Sequence, residues 1–197
     1  VEPMKTLQVR NMPKSGQAGF TIIELIVVIL LLGILTATAL PRFLDVTDEA
    51  HAAVVDAVRG GLNTGTALFR AQFVAGGEDT TVVVPNFGTN YANSAGYPMG
   101  NDTTDSTIDS HAECLSIYQG LLQQGRPPAV VSTGTEPGAI VAANTQGAAA
   151  GAGDFLAHLT ANNTCTYAYV GQYTATADGT IPTLVYSSSG SISTGSL

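Results

Sequence analysis

The sequence predicts an α+β fold: one long N-terminal helix followed by an antiparallel β-sheet head. Three observations predict it. Phe20–Pro41, FTIIELIVVILLLGILTATALP, is apolar almost throughout. Beyond Pro41 charged and apolar residues interleave at helical spacing up to about residue 75. The last third of the chain carries short β-type segments separated by turn residues.

The apolar stretch comes first. At a rise of ~1.5 Å per residue its 22 residues make a helix of roughly 33 Å, long enough to cross a bilayer. Lys5, Arg10 and Lys14 precede it with no acid after Glu2, so the tendency of positive flanks to stay inside places the following 156 residues outside. Glu24 is its one acid. A carboxylate costs ~2.5–3.5 kcal/mol at a bilayer centre, less near a helix N-terminus whose partial positive charge favours it. Two readings stand. Glu24 is a helix-start carboxylate and no more, or it neutralises a cation such as the free amine of a newly made N-terminus.

After Pro41 the spacing predicts that the same helix continues from about 20 to 75, kinked at Pro41, where a ladder bond is lost. Val54, Val58, Leu62, Phe69 and Phe73 form its packed face, and Asp45, Asp48, Glu49, Asp56, Arg59 and Arg70 its wet one. Gly60-Gly61 and Gly65 are costly in a helix and mark close packing; Gly76-Gly77 ends it. Thr80–Val84 is β-prone. Ala112–Gln124 reads as a short second helix with Leu115, Tyr118, Leu121 and Leu122 on one face, stopped by Gly125 and Pro127-Pro128. The Gly/Ala-rich tract 134–153 reads as a surface excursion. Phe155–Leu159, Cys165–Val170 and, after the Asp178-Gly179 turn, Thr183–Ser187 are the strands, and Ser188–Leu197 is expected to fray.

Composition narrows the chemistry. Beyond residue 19 there are four Arg, no Lys and fourteen Asp or Glu, which argues against a phosphate-binding surface and no specific nucleic acid is indicated. Without Lys there is neither a phosphate-loop nor a Schiff-base lysine. His51, His111 and His158 are isolated in sequence, and no metal-ligand spacing or nucleophile elbow occurs. Asp102, Asp105 and Asp109 match no calcium-loop spacing and read as a solvated loop. Asn101-Asp102-Thr103 and Asn162-Asn163-Thr164 are formal glycosylation sequons. The expectation is no enzyme, no cofactor and no metal. Cys114 and Cys165, the only cysteines, pair by default in an exported domain, with two free thiols as the alternative.

Gly19-Phe20-Thr21-Ile22-Ile23-Glu24, between a basic leader and an apolar run through Gly33 to Pro41, resembles the N-terminal signature of type IV prepilins. The match is strong over residues 16–50. The resemblance implies a pilin-like fold and a structural filament subunit. It further implies cleavage between Gly19 and Phe20 by a prepilin peptidase and N-methylation of the new Phe20 amine. Filament assembly would then involve Phe20, Glu24, Gly33 and Pro41. It divides the chain into a leader (1–19), a membrane and filament-core half-helix (20–47) and an exported head (48–197). Arg42-Phe43-Leu44 after Pro41 is similar to pilins of the mannose-sensitive haemagglutinin (MSHA) group, as are the surroundings Cys114-Leu115-Ser116-Ile117-Tyr118 and Cys165-Thr166-Tyr167-Ala168-Tyr169. The resemblance also supports the Cys114–Cys165 bond. The partners it implies are further copies in a helical homopolymer, the inner membrane before assembly, the peptidase and the assembly machinery. A type II secretion pseudopilin shares the signature and is the alternative. A membrane-anchored or secreted binding module is the third reading, since Ala37-Thr38-Ala39 also fits an ordinary signal-peptide cleavage that would leave Leu40 first.

Overall fold

The computed structural model describes residues 19–102, 107–131, 154–171 and 181–197, without the side chains of 40–48. The leader before Gly19, Asp105, the tract 134–153 and the Asp178-Gly179 turn lie outside the described residues, and the kink expected at Pro41 falls among 40–48. The chain divides into two units, Val1–Val46 and Thr47–Leu197. Helix α1 (Ile22–Ala75) contributes to both.

In the first unit Ile22–Ala39 is long and apolar enough to cross a membrane, and none of it is buried. Its two threonines expose no unmet hydroxyl. Thr36 Oγ1 donates back to the carbonyls of Leu32 (2.9 Å) and Gly33 (3.0 Å), and Thr38 Oγ1 to those of Ile34 (3.3 Å) and Leu35 (3.0 Å). Apart from Glu24 at its start, the span thereby keeps an apolar surface, as a lipid or protein surround of low polarity requires.

The second unit begins where α1 becomes amphipathic. Val55, Val58, Leu62, Thr66, Phe69 and Phe73, three or four apart, are buried on one face. They join the core with Ile117, Tyr118, Phe155, Tyr167, Leu184 and Tyr186. Two of the three predicted glycine contacts are real. A Cβ on Gly65 would stand 2.6 Å from the Leu121 carbonyl oxygen, and one on Gly61 2.5 Å from Leu122 Cδ2, whereas Gly60 faces open space. The glycines let helix α2 (His111–Leu121) lie against α1 at backbone distance. Gly77, at φ +94°, turns the chain out of α1.

Thr80–Val84 forms no strand. The Asp79 carboxylate accepts from Thr81 N (2.8 Å) and Thr81 Oγ1 (2.6 Å), so a side-chain-closed turn outcompetes the β preference of the valines. Instead β1 (Tyr91–Ala92) and β2 (Pro98–Gly100) pair antiparallel around Asn93, whose Oδ1 accepts from the amides of Ala95 (3.0 Å) and Tyr97 (2.9 Å).

The main sheet has five strands in the order β3 (Ala129–Val131), β4 (Phe155–Ala161), β5 (Thr164–Tyr169), β6 (Pro182–Ser187), β7 (Ile192–Ser196). The three expected strands are its centre, with Leu159 opposite Cys165 and Cys165 opposite Tyr186. Two differences concern its edges. β3 runs parallel to β4, so the antiparallel expectation holds for four strands only. The tail expected to fray forms β7: Ile192 packs on the core, and Ile181 and Leu197 exchange both backbone bonds at 3.0 Å. β7 is exposed along almost its whole length, so burial imposes no apolar alternation on it, which is why its Ser/Thr/Gly sequence conceals it.

Three tyrosine hydroxyls cross between layers. Tyr118 donates to the Pro127 carbonyl (3.1 Å), Tyr167 to Cys114 (3.0 Å) and Tyr186 to Pro98 (2.8 Å). Burial pushes all three phenols well above their ordinary range, so they act as neutral struts.

Candidate functional site

The residues singled out in the sequence fall into two places. Gly19, Phe20 and Glu24 lie together at the start of α1, with Phe20 93% exposed. Cys114 and Cys165 lie in the head and are bonded, their Cα atoms 5.4 Å apart. Gly33 sits mid-span with nothing near the position of a would-be Cβ. The Pro41 side chain lies among residues 40–48.

At the helix start, Thr21 is the residue before the first helical turn and Glu24 closes that turn. Glu24 Oε2 accepts from Thr21 N (3.0 Å) and from Thr21 Oγ1 (2.9 Å), while Glu24 N donates back to Thr21 Oγ1 (3.2 Å). This reciprocal pair satisfies two backbone donors that the helix leaves unmet. The cap is exposed. It holds the carboxylate one turn from Phe20, amid apolar side chains that nothing in the first unit buries. The Thr-x-x-Glu spacing was present in the sequence as a capping signal, so Thr21 belongs to the site although the reading centred on Glu24 alone.

The same motif recurs at α2. Ser110 caps, and Glu113 Oε2 accepts from Asp109 N (2.9 Å), Ser110 N (3.0 Å) and Ser110 Oγ (3.0 Å). Glu113 is only 2% exposed. Gly100, at φ +98°, lies against it, with no room for a Cβ beside the Glu113 stem.

The histidines separate in sequence meet in space. The His111 and His158 rings stack at 5.4 Å and 18°. His111 Nδ1 accepts from the Leu159 amide (2.8 Å), serving as the partner that a neighbouring strand would supply. His158 is 3% exposed and its Nδ1 has no hydrogen-bond partner. Burial first, then the His111 ring, lowers its affinity for a proton. His51 Nδ1 and the Tyr169 hydroxyl lie 2.6 Å apart, tying α1 to β5. Among the described residues no three His, Cys, Asp or Glu side chains gather to hold a metal ion.

Residues 14–40 match the prokaryotic N-terminal methylation motif. Over 99 residues the chain is 40% identical to the type IV narrow pilus major component PilA5 of Thermus thermophilus, an overlap spanning 50% of this chain and 75% of that protein. Over 68 residues it is 38% identical to a fimbrial protein of Moraxella nonliquefaciens, spanning 34% of this chain and 44% of the relative. No solved structure matches. A capped carboxylate opening an unburied apolar helix, a methylation motif laid over it and an α+β head behind it converge on one conclusion: the chain belongs to the type IV pilin family and is a structural subunit of a pilus.

Proposed function

We propose that this subunit is cleaved between Gly19 and Phe20 by a prepilin peptidase and methylated on the new Phe20 amine. Residues 20–47 then hold it in the inner membrane until the assembly machinery draws it into an extracellular homopolymer, with 48–197 as the head. The observation that carries this reading is Glu24, a carboxylate held at the start of a helix whose apolar surface is unburied. Packed among other helices, an unpaired carboxylate costs several kcal/mol, which only a close cation offsets. Beyond the cleavage point the cations are four Arg, all past the span, and the Phe20 amine. The amine of a neighbouring copy is therefore the partner, and pairing fixes the axial register. Gly33 admits a neighbouring helix at close range, as small residues do in apolar surroundings. The cysteine surroundings and Arg42-Phe43-Leu44 support an MSHA-like subunit. The relatives named as pilus and fimbrial proteins favour a pilin over a secretion pseudopilin.

The peptidase must fit around a residue with no side chain, so Gly19→Val leaves the leader attached. Precursor accumulates on a denaturing gel and filaments vanish from micrographs. Normal piliation by that variant overturns the processing scheme.

A further inference from the structure

The head carries a cation held in a fixed place on an outward face. Arg70, on α1, lays its guanidinium carbon 5.1 Å from the centre of the Tyr97 ring, and its Nη1 donates to the Tyr97 hydroxyl at 3.1 Å. Tyr97 is itself closely packed. Gly190, at φ +80°, lies so close to the ring that a Cβ there would enter it, and Asn93 Nδ2 donates to the Ser188 carbonyl at 2.7 Å, binding the β6–β7 turn to the same loop. Three segments distant in sequence thus build one feature. In front of it lies an open groove of about 800 Å³ with Ala67, Ala71 and Val74 along its floor.

A guanidinium has five donors in a rigid fork; one is used on Tyr97, and the others suit a carboxylate. The floor suits the apolar stem of the side chain that carries it. The chain as a whole selects the source. It has fifteen acids against seven Lys and Arg, and beyond residue 19 only four Arg remain. Copies of so acidic a chain repel unless carboxylates of one meet arginines of the next. Arg126 is spent within its own head, its Nη1 donating to the carbonyls of Leu122 (3.1 Å) and Gln123 (2.6 Å). Arg70 is exposed and already oriented. We propose that the groove in front of Arg70 and Tyr97 receives an Asp or Glu side chain from the head of a second copy. It is thus a copy-to-copy contact outside the apolar helix packing, and it rests on the filament assembly proposed above.

The test places a photo-crosslinking amino acid at Ala71 in the full-length chain and irradiates intact filaments. The expected product is a covalent dimer of this subunit whose joined peptide contains an Asp or Glu. A parallel variant, Arg70→Glu, is expected to accumulate processed, disulfide-bonded subunit at the wild-type level while filament yield falls roughly tenfold. Filaments that form normally but give no subunit dimer from Ala71, or an adduct to a different protein, overturn the inference and leave the filament reading intact. Wild-type yield from Arg70→Glu does the same. If the wild-type chain enters no filament, both fall together. Should Arg70→Glu fail to fold, the Ala71 adduct alone decides.

Discussion

Two helix starts in this protein use the same four-residue device to different ends. At Ser110–Glu113 the carboxylate takes three donors, is 2% exposed and packs against Gly100, so local bonding and burial are complete within one chain. At Thr21–Glu24 the cap is made but remains exposed, on a helix with no buried residue between Ile22 and Ala39. A capping box satisfies the ends of a helix and leaves open what surrounds it. In the head the surround is the protein's own core. At the helix start nothing within the first unit supplies one, and under the assembly proposed above the surround is first membrane and then other subunits.

The contrast breaks most visibly at Glu24. Glu24→Gln keeps shape and removes charge, and Glu24→Leu also removes the cost of burial. Both are expected to insert and be cleaved, and both to abolish or sharply cut filaments because the register is lost. Abundant, regular filaments from Glu24→Leu as the sole subunit would return Glu24 to a simple cap. Filament counts by electron microscopy, set against membrane levels of processed subunit, decide it.

The head should respond in the opposite way, through stability. Replacing Cys114 and Cys165 together by Ser opens a loop with a separation of 51 residues, costing about 4 kcal/mol in the chain-entropy model. Thermal unfolding of the detergent-solubilised full chain should show a lower midpoint, with membrane insertion unchanged. Glu113→Ala leaves three backbone or hydroxyl donors at the start of α2 without their acceptor and should cost roughly 2 kcal/mol. An equal loss of stability from Glu24→Ala in the same assay would erase the distinction between the two boxes.

The smallest effect is a pH dependence confined to the head. His158 ordinarily protonates near 6.5, and burial beside His111 lowers that value in the folded state. Below 6.5 the unfolded chain therefore binds a proton that the folded head resists, and stability falls as pH drops, by at most ~1.4 kcal/mol per unit for one group. Above 6.5 this group contributes no pH dependence. Asp109 and Glu113 share the α2 start with His111 and add no cation to the pair. Unfolding midpoints between pH 5 and 7 should slope for the native chain and flatten for His158→Leu.

Much of this was legible in the residues because the strongest signals are periodic or positional. The apolar run, the α1 face from Val54 to Phe73, Gly76-Gly77 as a stop and the three central strands rest on spacing alone. The misses at the sheet edges share a cause: each depends on a tertiary partner. β7 is Ser/Thr/Gly-rich and holds because β6 offers it a ladder. β3 is three residues long and exists through its register with Phe155–Ala157. The valines of Thr80–Val84 lost to a turn closed by Asp79. At the site the acid was found and its cap partner Thr21 was not, although the spacing was visible. His111 and His158 lie 47 positions apart, and no local pattern foretells that they stack.

The Cys114–Cys165 bond has a bearing on wear. A pilus works outside the cell, where proteases cut exposed backbone. The bond encloses residues 115–164 in a covalent ring that joins α2 to the centre of the sheet. A single cut anywhere in that ring leaves one connected molecule, with β5, β6 and β7 still fastened to the helix that carries them. Such damage would stay hidden on a non-reducing gel and show as two fragments only after reduction.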